Sequence, residues 1–198
     1  MPFISNGTTI LNNGAFQASL GSLVHISTQT TSGASSVSFT SGIDSTYPIY
    51  MFELINCTCS NNGRGIDIYF STNGGSDYNA TKTTTIINAY HAEGGGSGTL
   101  QQITGVKAPT QSSDGLFLNY SDGSASGMSG SLLLFNPSNT TFIKHFIARS
   151  NGKNDDNTTN DLFSAGYVNS TSAVNAVQFD TFDGNIIGTF KLYGIKDS

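Results

Sequence analysis

Residues 188–196 read GTFKLYGIK, in which Phe190 and Leu192 alternate with Lys191 and Tyr193. A two-residue period sends successive side chains to opposite faces of an extended chain, so the stretch predicts a β-strand with Phe190 and Leu192 in the core. Immediately upstream, AVQFDTFDGN at 176–185 places Val177 and Phe179 inward and then reaches the turn signal Asp183-Gly184-Asn185. The two runs are therefore expected to form a hairpin.

The same period recurs along the chain. It predicts strands over 22–30, 35–41, 48–59, 65–72, 82–93, 130–136, 141–149, 162–169, 176–182 and 189–196, and no helix. Gly- and Asn-rich segments such as NNGRG, NGGSD, EGGGSG and SNGKNDDN separate them and supply the positive φ that tight turns require. Antiparallel strands of this length and spacing fit an all-β fold, a single-domain antiparallel β-sandwich that is jelly-roll-like, with an open barrel as the alternative. Residues 1–20 are expected as an irregular N-terminal arm, 21–198 as the sandwich domain, and about 94–125 as a long surface loop. No period of about 20–50 residues suggests a propeller or solenoid.

Composition narrows the function. Charged residues make up 11% of the 198-residue chain, against about 25% in an average globular protein, yet 13 Phe and 8 Tyr distinguish it from a disordered chain. A net charge of −5 with scattered Lys and Arg argues against a nucleic-acid partner, which needs clustered cations to displace counterions. MPFISNGTTILNNG carries no basic-plus-apolar leader, and no apolar run approaches the roughly 20 residues of a bilayer span. Synthesis in a cytoplasm, without secretion or membrane insertion, is expected. The chain's seven N-x-S/T sequons follow from its Asn, Ser and Thr content. Cys57 and Cys59 fall on one face of a predicted strand, about 6.5–7 Å apart, at the edge of disulfide reach, and read as two small buried thiols.

Chemistry-bearing constellations are sparse. His25, His91 and His145 lie far apart in sequence without the H-x-H or H-x3-H spacing of a zinc site. His91-Ala92-Glu93 matches the H-x-E of zinc deaminases, but no P-C-x-x-C follows. A glycosidase needs two carboxylates about 5–10 Å apart in a cleft. Glu53 and Glu93 are in or at the end of strands, while Asp114, Asp122, Asp155, Asp156 and Asp161 belong to loops. NDDNTTND at 154–161 concentrates oxygen donors as a calcium loop does, but lacks the EF-hand order and its bidentate Glu. GGGSG at 94–98 has no following helix to make a nucleophile elbow, and GMSGSLLLF lacks the lysine of a phosphate-binding loop. No catalytic, cofactor-binding or metal-ligating residue is assigned, no cofactor is expected, and the chain is read as not an enzyme. Hydroxyls, amides and aromatics on a β scaffold suit adhesion to protein or sugar.

Three stretches carry a resemblance: GGSDYNATKTTTIINAYHAE (74–93), SGSLLLFNPSNTTFIKHFIARSN (129–151) and AGYVNSTSAVNAVQFDTFDGNIIGTFKLYGIK (165–196). Together they resemble a family of virion structural proteins of tailed bacteriophages, especially phages of marine bacteria. The resemblance implies a non-enzymatic β-rich protein on the particle exterior, present in many copies. The expected role is a capsid decoration or cement protein that contacts phage capsid or other virion proteins, as a homotrimer at a lattice axis. The alternative is a tail- or head-fibre domain binding a host-surface receptor or glycan. A polysaccharide depolymerase is the third reading, and it lacks a visible acidic cleft.

Overall fold

The computed structural model describes residues 3–5, 8–12, 15–16, 23–96, 98–103, 116–121, 126–154 and 156–196. Every regular element among them is a strand: β1 (Phe3–Ser5), β2 (Thr8–Asn12), β3 (Ala15–Phe16), β4 (Leu23–Ala34), β5 (Ser36–Phe39), β6 (Ile49–Cys59), β7 (Arg64–Ser71) and β8 (Lys82–Ala92), followed by β9 (Thr99–Gln102), β10 (Leu116–Ser121), β11 (Met128–Phe135), β12 (Lys144–Lys153), β13 (Thr158–Val168), β14 (Ala176–Asp180) and β15 (Ile186–Ile195). All ten predicted strands are present.

The strands form three antiparallel sheets. An eight-stranded sheet has the order β4-β15-β6-β11-β12-β13-β8-β9, a four-stranded one β10-β7-β14-β5, and β1-β2-β3 make a small sheet of their own. The first two are the layers of a β-sandwich. β11, β12 and β13 are a meander, and β8 returns beside β13, which is one Greek-key arrangement. A jelly roll distributes two such keys over eight strands; the strand orders establish the antiparallel sandwich and not that finer topology.

The core lies between the layers. Phe39 and Phe179 project from the four-stranded sheet and meet Phe52 and Phe190 from the eight-stranded one, with centroids 5.4 Å apart for Phe39–Phe52 and 5.1 Å for Phe179–Phe190. Phe70 stacks on Phe146 at 5.1 Å in the same way. Edge-to-face and offset ring pairs add to the large apolar area each Phe removes from water. Phe190 and Leu192 are fully buried, as their alternation requires.

Two features depart from simple alternation. In β6 the buried positions Tyr50, Phe52 and Leu54 are followed by Cys57 and Cys59, a change of phase. Asn56, with φ 49°, is the extra residue, and the pairings of β6 with β11 and with β15 shift register there. This bulge turns both thiols into the core, with no disulfide between them. Elsewhere the loop before β6 is pinned from inside: the Tyr50 hydroxyl accepts from the Asp44 N–H at 3.0 Å.

Three expectations are corrected. β14 and β15 are not a hairpin, because β14 pairs with β5 and β7 while β15 pairs with β4 and β6. Residues 181–185 instead cross from one layer to the other, held where Ser60 N–H donates to Asn185 O at 2.8 Å and Asn185 N–H to Ser60 Oγ at 2.9 Å. Alternation identifies buried side chains but not the sheet in which a strand pairs. The segment 94–125 contains β9 and β10, and residues 3–16 contain three short strands where an irregular arm was expected.

Candidate functional site

A broad surface available for recognition among the described residues is the outer face of the eight-stranded sheet, turned away from the core. Strand register builds it row by row. One row runs His25, Tyr193, Met51, Leu133, Ile147 and Ala165 across six strands. The next runs Lys191, Glu53, Ser131, Arg149, Phe163 and Ile87. A third brings Asn151, Asp161, Ala89 and Leu100 together. Five spacings of about 4.8 Å make each long row about 24 Å across.

Large apolar side chains are exposed here: Ile147 is 52% exposed, Phe163 44%, Ile87 40% and Leu100 75%. Met51, Leu133 and Tyr193 lie half-buried beside them. Exposed apolar side chains gathered from four neighbouring strands, with the polar residues of the second row among them, mark an interaction surface.

Arg149 organises its centre. Its guanidinium donates to both Asp161 oxygens, Nε to Oδ1 at 3.0 Å and Nη2 to Oδ2 at 2.7 Å, and lies 4.6 Å from the Phe163 ring centroid. The Asp161 carboxylate raises the Arg149 pKa further above its ordinary value. A bidentate pair on an aromatic ring is a rigid plate with little rotamer entropy left to lose on binding. Two shallow depressions of about 350 and 360 Å³ flank it and share Asp161, one reaching Tyr90, His91 and Leu100, the other Ser129, Ser131 and Asn151.

The sequence-derived candidates do not converge. His25 abuts Tyr193 at one end of the face, His91 faces Gly96 O at 3.0 Å, and His145 contacts Tyr167 at the opposite end of the sheet from His91. Among the described residues no three His, Cys, Asp or Glu side chains form a metal-sized group. Glu53 and Glu93 belong to β6 and the turn after β8, with β11, β12 and β13 between those strands, so about 19 Å separates the strands and no carboxylate pair forms. Asp114, Asp122 and Asp155 lie outside the described residues. In the 154–161 loop, the Asn154 and Asp156 oxygens are occupied by the Thr158 hydroxyl, and Asp161 by Arg149. Residues 94–98 lie between β8 and β9, and the element that follows them is a strand, not a helix.

Lys144 is a buried cation that sequence reading passed over. Its ammonium donates to Phe142 O at 3.1 Å and Ser170 O at 3.2 Å, tying together the loops that precede β12 and follow β13, and burial lowers its pKa. The outer-face residues were also missed, although doublets such as Ile86-Ile87, Phe146-Ile147 and Leu162-Phe163 put apolar groups on both faces of their strands.

No protein-family model, no curated protein and no solved structure matches the chain.

Proposed function

We propose that the protein is a non-enzymatic structural component of a bacteriophage virion, an exterior capsid decoration or cement protein made in the host cytoplasm. The observation that carries this reading is the apolar outer face of the eight-stranded sheet. Burying such a face releases about 25 cal/mol per Å², so docking against a shell subunit gives it the cover that the chain's described residues do not. Low net charge limits repulsion between neighbouring copies, and the resemblance of 129–151 and 165–196 to phage structural proteins agrees with it.

Cryo-electron microscopy of the particle tests this directly. Density for the domain over the capsid lattice, with β12 and β13 facing the shell, is the expected result, and labelling confined to the tail tip would sink it.

A second reading, a fibre domain for a host receptor or glycan, is favoured by one observation: the Arg149–Asp161–Phe163 plate stands beside Asn151, Ser129 and Ser131, a polar cluster suited to sugar hydroxyls. Blocking of host adsorption by the purified protein would establish that reading instead.

A further inference from the structure

β4 forms one edge of the eight-stranded sheet. It pairs with β15 on one side, and on the other no strand among the described residues is hydrogen-bonded to it. Exposed edges of this kind are ordinarily blunted by Lys, Pro, inward-pointing charge or brevity. β4 is 12 residues long, reads LVHISTQTTSGA, and contains no Lys, Arg, Asp, Glu or Pro.

Its register marks out a usable window. Pairing with β15 shifts at Ile26 and again at Gly33, and between those bulges Ser27 to Ser32 is regular. Bulges bend a strand and interrupt its ladder, so they bound the straight segment on both sides. Within it Thr28, Thr30 and Ser32 are exposed, with Thr28 and Thr30 opposite Lys191 and Thr189 on the sheet's outer face, while Gln29 turns the other way and donates to Ser38 O at 2.6 Å. The exposed hydroxyl run is symmetric about Thr30.

We propose that two copies of the chain pair through β4, antiparallel, about a two-fold axis perpendicular to the sheet at Thr30, joining their eight-stranded sheets into one. Such an axis keeps outer face with outer face, so the numbers of opposing residues must sum to an even value, and the exposed hydroxyls Thr28, Thr30 and Ser32 centre the pair on Thr30. Thr30 then meets Thr30, and Thr28 meets Ser32, cross-strand hydroxyl pairs of the kind that support sheet pairing. The window is neutral, so no like charges meet, and the N–H and C=O groups of both edges that pair with no described strand are satisfied. The pairing also makes the two apolar outer faces continuous. It stands independently of the virion reading and replaces the three-fold arrangement expected from the resemblance with a two-fold one.

Native mass spectrometry and light scattering on the full chain test it. The wild-type protein is expected to be a dimer at high micromolar concentration. Thr30→Lys and Thr30→Glu, which place like charges on the axis, each lose the dimer, and mixing the two restores a heterodimer. Thr30→Cys, the mildest change, gives a disulfide-linked dimer on oxidation, whereas Thr28→Cys, facing Ser32, does not. A wild-type monomer, a trimer indifferent to Thr30→Lys, or equal cross-linking at positions 28 and 30 would overturn the proposal.

Discussion

Gly188 and Cys57 occupy adjoining volumes, and each limits what the other can be. A Cβ on Gly188 would lie 2.6 Å from Cys57 Sγ, and its φ of 144° is one that side chains rarely adopt. Gly188→Ala should therefore destabilise the fold by about 2 kcal/mol or more, read as a lower midpoint in denaturant. Burial pushes the Cys57 thiol up to about 12 from an ordinary 9.0. The folded chain thus keeps a proton that the unfolded chain gives up, so this contribution is intact below about pH 9 and is lost as pH rises toward 12. The slope is about 1.4 kcal/mol per pH unit. Melting of Cys57→Ala across that window should show a correspondingly weaker alkaline decline, and parallel curves for variant and parent would disprove the assignment.

At the scale of elements, β15 matters more than its place in the chain suggests. It lies between β4 and β6, pairing with β4 from Ile186 to Ile195 and with β6 over the same span, and it sends Phe190 and Leu192 into the core. Removing it would detach β4 from the sheet and expose the edge of β6. Deletion of residues 188–198 should abolish cooperative folding, checked by circular dichroism and calorimetry, and a soluble truncation that melts cooperatively would refute this. Burial of Phe190 and the pairing of its strand were legible to different degrees. The period-2 pattern identifies the inward side chain, whereas two-sided pairing depends on β4, more than 150 residues away in sequence, as the Thr30–Thr189 pair illustrates with its separation of 159.

For the whole molecule, the outer sheet face should separate stability from association. Ile147 and Phe163 are half-exposed, so Ile147→Asp and Phe163→Ser remove little core packing and should shift the melting temperature by only a few degrees. Both should weaken particle binding at least tenfold if the face docks as proposed, since aromatic and apolar anchors dominate such interfaces. Binding of purified variants to particles stripped of the protein gives the measurement, and unaltered binding by both variants would remove the face from the interface.

The sequence by itself determined ten of the fifteen strands, their inward side chains and the turn sites between them, because these follow from a two-residue period and from the φ preferences of Gly and Asn. It also marked Cys57 and Cys59 as neighbours on one face. Tertiary structure decided the rest. Only the packed sheets assign β14 and β15 to different layers, place the bulge at Asn56, and align Ile147, Phe163, Ile87 and Leu100 from four strands into one exposed surface. The reason is physical: periodicity is a property of one strand, while register and layer are properties of pairs of strands remote along the chain.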